Sequence, residues 1–148
     1  MHSKMKGTLA ESKVIADLYQ KGFSVAIPLD DLKPFDLICI DPSNNMYKIQ
    51  VKYCKLENGA ASLPVRSCMS NKTLSYTHTY NKKEVDIFAM YVPEVDSCFY
   101  IKSDILDWCK GYFSIRIQEP KQRQKNINYA DNFRKFPCED GEDRTPDI

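Results

Sequence analysis

The sequence predicts one α/β domain, a mixed β-sheet flanked by helices. Three observations predict it. Along the chain the apolar patterns run helix, three strands, a polar mixed segment, two strands and a short helix. Two successive strands differ in kind, one a nearly continuous apolar run and the next cleanly alternating, as in a sheet whose strands are buried to different degrees. With 148 residues and 43% hydrophobic content, the chain can bury one real core.

Residues 8–20 (TLAESKVIADLYQ) form an amphipathic pattern in which Val14, Ile15 and Leu18 make one stripe. Lys13, Asp17 and Gln20 make a polar stripe, with Lys13 and Asp17 spaced to pair. Gly22 stops the helix. Residues 23–27 (FSVAI) read as a strand ended by Pro28, and Asp30, Asp31 and Pro34 mark a loop. Residues 35–40 (FDLICI) look like a strand buried on both faces. Residues 41–45 (DPSNN) are a turn by composition. Residues 46–54 (MYKIQVKYC) then alternate, with Ile49, Val51 and Tyr53 on one face and Lys48, Gln50 and Lys52 on the other.

From 57 to 83 large aliphatics are few, which suggests loops with one or two short strands. Residues 85–92 and 98–102 read as strands, and Ser103 as the cap of a short helix over 104–110 closed by Gly111. Residues 113–118 complete the sheet pattern. The expected organisation is a core over 1–118 with an insertion at about 57–83. A polar extension over 119–148 follows, with Phe133 and Phe136 as anchors onto the body.

Several classes are excluded. No apolar run approaches the ~18 residues of a membrane span, so no membrane partner is expected. The N-terminal MHSKMK lacks an apolar signal region behind it, and the expected location is cytoplasmic. No glycine-rich phosphate loop follows a strand. The six cysteines form no C-x-x-C pair and the two histidines stand far apart, which speaks for free thiols rather than zinc.

The net charge of +1 conceals a segregation. Residues 48–83 hold seven Lys and Arg against the single Glu57, a net +6. Residues 121–135 carry +4, and the last ten residues −4. Local basic blocks suit a polyanionic partner, although solvated surface lysines produce the same composition.

The chemistry-bearing set starts at Asp36, the one charge inside FDLICI, where a lone carboxylate is costly unless paired or metal-bound. A five-residue loop at 41–45 would set Ile40 opposite Met46, and therefore Asp36 opposite Gln50, with Lys52 as the diagonal neighbour. A loop one residue shorter or longer would turn Asp36 to the wrong face. Glu11 follows the apolar stripe of the first helix. It reads equally as a member of this set or as the second half of a Thr8-x-x-Glu11 capping box. Asp36, the Gln50 amide oxygen and the Val51 backbone carbonyl are hard oxygen donors suited to Mg²⁺, with Glu11 in support. Lys52 beside them could orient water and stabilise a phosphorane, the requirements of phosphodiester hydrolysis.

Pro34-Phe-Asp36, thirteen residues, then Gln50-Val-Lys52 resembles the PD-(D/E)XK nuclease motif, and the helix carrying Glu11 resembles that superfamily's N-terminal acidic helix. The text KGTLAESKVIADLYQKGFSVAIP (residues 6–28) is similar to archaeal Holliday-junction resolvases and to small homing endonucleases of this fold, and along most of its length the chain resembles the cyanobacterial homing endonucleases encoded in group I introns. Two departures stand out: Gln50 replaces the usual acidic residue, and the proline sits one residue early. The resemblance implies a restriction-endonuclease-like fold with Glu11, Asp36, Gln50 and Lys52 as the catalytic set. It also implies one or two Mg²⁺ per site and double-strand DNA cleavage at a long intron-insertion-type site by a homodimer or homotetramer. Junction resolution, or a DNA-binding protein inactivated by the change at position 50, are the alternatives.

For DNA contact the polar stretch offers Lys55, Arg66, Ser67, Asn71, Lys72, Thr73, Tyr76, Thr77, His78 and Tyr80, and the basic tail Lys121, Arg123 and Lys125.

Overall fold

A computed structural model describes residues 1–70, 75–122 and 126–137; within 66–70 and 75–79 it describes the backbone. Helix α1 spans Ser3–Gln20. It starts five residues before Thr8 because the His2 side chain caps it, Nδ1 accepting from the Lys4 N–H at 3.2 Å. The capping-box reading of Glu11 therefore falls: Thr8 is inside the helix, its hydroxyl donating to the Lys4 carbonyl. Ala10, Val14 and Leu18 are the buried stripe. Gly22, at φ +87°, lets the chain turn back so that the Phe23 N–H reaches the Leu18 carbonyl. The expected Lys13–Asp17 pair does not form. Lys13 reaches Asp96 (2.9 Å), while Asp17 pairs with Lys21 and accepts from the Tyr100 hydroxyl at 2.6 Å. The short bond from the buried Tyr100 hydroxyl turns Asp17 toward β9 and away from Lys13.

Five strands form the main sheet: β1 (Ser24–Ala26), β2 (Leu37–Ile40), β3 (Met46–Tyr53), β8 (Ile87–Val92) and β9 (Ser97–Lys102), in the order β1-β2-β3-β8-β9. All neighbours are antiparallel except β3 and β8. Parallel neighbours need a long crossover, and here that connection is itself β-structure. It contains β4 (Leu56–Glu57), β5 (Ala60–Pro64), β6 (Arg66–Ser70) and β7 (Ser75–Thr79). The segment expected to be mainly loop thus holds four strands. β4 and β5 pair across a turn in which Asn58 and Gly59 both have positive φ, and β6 pairs with β7. β10 (Tyr112–Arg116) adds to β5, giving a second sheet of order β10-β5-β4.

The layers follow from alternation. β8 is buried at all six positions. Its Ile87, Ala89 and Tyr91 join the core under α1, while Phe88, Met90 and Val92 join a second core with Leu63, Phe113 and Ile115 of the small sheet. One flank is therefore α1, and the other is a sheet where a helix was expected. The helix expected over 104–110 is a 3-10 turn, Ser103–Asp107. Ser103 is not its cap: the residue is buried, and its N–H goes to the Asp86 carbonyl. β2 is fully buried only at Leu37 and Cys39, with Ile38 and Ile40 half-buried. Phe133 packs edge-on against Phe113, and Phe136 stands among Phe23, Tyr47 and Tyr100 at 4.9–5.5 Å between ring centroids. Cys39, Cys54, Cys98 and Cys109 are free, and burial pushes the first three thiols up to about 12. Cys68 and Cys138 lie outside the described side chains.

The β2–β3 turn sets the site's register. Asp41 is 4% exposed. Its carboxylate accepts from the Ser43 and Asn45 N–H groups (both 2.9 Å) and from the Asn45 amide. Asn44 takes the left-handed conformation at φ +66°. The five residues 41–45 then bring Ile40 opposite Met46 and Leu37 opposite Ile49. Asp41→Ala removes a charged acceptor from several donors at once, and we expect it to cost about 2–3 kcal/mol, read as a shift in urea midpoint at unchanged m-value.

Candidate active site

The β2–β3 pairing ends at Leu37 opposite Ile49, so the expected Asp36–Gln50 pair lies just outside it. The Asp36 N–H donates to the Ile49 carbonyl (2.8 Å), and its Oδ2 accepts from the Val51 N–H (2.9 Å). The carboxylate is thereby fixed at the peptide between Gln50 and Lys52. The Gln50 amide nitrogen lies 3.5 Å from the Val51 carbonyl oxygen, at the outer limit of a hydrogen bond. Lys52 acts electrostatically on Asp36. Its Nζ lies 3.4 Å from the Tyr80 hydroxyl and 5.2 Å from the centre of that ring.

Glu11 enters from α1. It and Asp36 line one open cleft of about 430 Å³, whose other wall is residues 27–31, Lys33 and Phe35. Burial raises the Asp36 carboxyl above its ordinary value, partly offset by the Val51 N–H and by Lys52. Burial also raises Glu11, and the Asp36 charge adds to that. Two half-buried carboxylates that repel each other in one cleft form a pair that a hard divalent cation would relieve. Asp36, Glu11, the Val51 carbonyl and the Gln50 amide oxygen fit such an ion by donor chemistry. Only two of these four are carboxylates, and among the described residues no group of three or more His, Cys, Asp or Glu could hold a metal.

A family model described as PD-(D/E)XK endonuclease matches residues 1–136. The chain belongs to the PD-(D/E)XK endonuclease family. Its restriction-endonuclease-like fold is also that of a bacterial homing endonuclease, I-Ssp6803I, a solved structure 23% identical in sequence. The TM-score is 0.74, over 90% of this chain and 89% of that one. No curated protein sequence matches.

Within this family member the expected DNA-contacting residues divide into three groups. Lys55 and Lys121 are exposed, the latter beside Arg116 and Gly59 on the small sheet. The side chains of Arg66, Ser67, Tyr76, Thr77 and His78, and Asn71, Lys72, Thr73, Arg123 and Lys125 altogether, lie outside the described residues. Tyr80 is a correction. It is 6% exposed and turned inward onto Phe88 and Lys52, so it is no reader of DNA. Sequence reasoning also missed the 27–33 wall. Its one available signal was the pair of prolines, Pro28 and Pro34, bracketing a loop just before Asp36. No described helix is long and apolar enough to cross a membrane.

Proposed function

We propose that the chain is a divalent-metal-dependent DNA endonuclease that hydrolyses phosphodiester bonds at the Glu11–Asp36–Gln50–Lys52 site. The observation that carries this reading is the Asp36 carboxylate held on the Val51 N–H, between Gln50 and Lys52, in one cleft with Glu11. A bound Mg²⁺ supplies charge neutralisation and lowers the pKa of water. Asp36, Glu11 and the Val51 carbonyl would hold it, with the Gln50 amide oxygen as a neutral donor. Lys52 faces the scissile phosphate and stabilises the charge that grows on its oxygens. Gln50 in place of a carboxylate leaves the site less negative, so a higher working concentration of Mg²⁺ follows.

The finer reading is a homing endonuclease: a cytoplasmic enzyme cutting both strands of a long pseudo-palindromic intron-insertion site as a homodimer or homotetramer. What supports it is likeness to I-Ssp6803I over nine-tenths of each chain, together with the basic blocks at 48–83 and 121–135. A protomer of this size meets a two-stranded symmetric target best as a C₂ pair.

The test is plasmid nicking with and without Mg²⁺, followed by mapped cleavage of duplexes carrying candidate intron-insertion sequences. Lys52→Ala should slow cutting by about 10²–10³-fold and bind DNA as the wild type does. Equal cutting by Lys52→Ala would remove the site assignment. Preference for four-way junctions over linear duplex would replace homing by junction resolution. Binding without any cutting by the wild type would leave a DNA-binding protein.

A further inference from the structure

We infer that Tyr80 is a positioning residue for Lys52, its hydroxyl holding the ammonium and tying it to the base of the β6–β7 hairpin. The inference rests on the catalytic reading of Lys52 given above.

Lysine has four rotatable side-chain bonds and presents a point charge rather than a planar fork, so geometry must come from its neighbours. At Lys52 that neighbour is a tyrosine hydroxyl. Nζ sits 3.4 Å from the Tyr80 hydroxyl and 5.2 Å from the ring centre, which places it off the hydroxyl edge of the ring. The hydroxyl is therefore the group that meets the ammonium, at a distance long for a charge-assisted hydrogen bond. The ring itself is fixed. It is almost fully buried and meets Phe88 edge-to-face at 5.7 Å. Phe88 is the direct β8 partner of Gln50 on β3, so the support of Lys52 is built on the strand beside the site.

Tyr80 is also the first residue after β7, the second strand of the two-stranded hairpin. The crossover between β3 and β8 thus returns to the sheet at the residue that supports Lys52. A displacement of the hairpin's base moves Tyr80, and with it the ammonium. This gives the polar crossover a route to the reacting centre that no direct contact with the cleft is needed to explain.

The test separates positioning from chemistry. Tyr80→Phe keeps the buried ring and its packing on Phe88 and removes only the hydroxyl. Turnover should fall about tenfold in Tyr80→Phe, the value of one ordinary hydrogen bond to a charged group. KM and metal-free DNA binding should stay within about twofold. The double variant Lys52→Ala/Tyr80→Phe should cut no more slowly than Lys52→Ala, since a hydroxyl that acts through the ammonium has nothing to position once the ammonium is gone. Full turnover in Tyr80→Phe, or a further loss in the double variant, overturns the inference. Failure of the catalytic reading shows separately, as unimpaired cutting by Lys52→Ala.

Discussion

Asp36→Asn is expected to abolish cleavage, by at least about 100-fold since loss of a mere outer-shell partner of a metal already costs up to that much, while making the metal-free protein more stable. The two effects share one cause. Burial raises the Asp36 carboxyl above its ordinary value, so near neutrality the folded protein carries an ionised group that it disfavours relative to the unfolded chain. The sign follows. Stability attached to Asp36 is greatest where the group is protonated in both states. It declines as pH rises from the ordinary carboxylate range through the raised folded value, and it stays low above that. The Asn amide oxygen can still accept from the Val51 N–H, so the substitution removes charge without removing the hydrogen bond. A gain of ~2–4 °C in melting temperature, what about 1 kcal/mol produces in a domain of this size, should therefore appear near neutrality and vanish under acid. Added Mg²⁺ should raise the melting temperature of the wild type and leave Asp36→Asn unmoved. An Asp36→Asn protein that still cuts, or a wild type insensitive to Mg²⁺ in this melt, contradicts the assignment. Sites of this kind exchange stability for activity.

Phe136→Ala should cost about 3–5 kcal/mol, the usual range for a buried Phe truncated to Ala. Phe136 is 2% exposed and touches three aromatic rings from three different elements: Phe23 after α1, Tyr47 on β3 and Tyr100 on β9. Its removal opens a cavity where none of those rings can collapse alone: Tyr47 and Tyr100 are held by their strands, Tyr100 also by its bond to Asp17, and Phe23 by its N–H on the Leu18 carbonyl. A domain with the ordinary ~5–15 kcal/mol of stability would lose a large share of it. Chemical denaturation should show a lowered midpoint, and chain cut at residue 119 should fare no better than the point variant. A loss under 1 kcal/mol, the level of a surface substitution, would mean that Phe136 is not seated in the core.

How much of the site was legible in the sequence varies with the distance over which each signal acts. The expected Asp36–Gln50 juxtaposition rested only on a loop length and the twofold period of a strand, both local quantities; the loop length holds, while Asp36 lies just past the paired residues and reaches the Val51 N–H. The β2–β3 pairing has that register because Asp41 closes a five-residue turn. Glu11 could not be settled the same way. Whether it capped a helix or faced the cleft depended on where α1 began, and a histidine two residues from the chain start decided that. Tyr80 was misread for a related reason. In a run of Ser, Thr, Asn and Tyr it looks like surface, and only its packing on Phe88 shows otherwise.

By itself the sequence determined the α/β class, the turn that pairs β2 with β3, and the family text around residues 36, 50 and 52. These are set by side-chain period, turn chemistry and residue type, which act within a few positions of the chain. The tertiary structure alone decided that the crossover from β3 to β8 folds as β-structure, that a sheet covers the second face, that Phe136 closes the first core, and that a buried tyrosine supports Lys52. The reason is that burial between elements far apart in sequence leaves no periodic trace in either one: an aromatic residue in a polar stretch acquires its role from the partner strand, not from its neighbours.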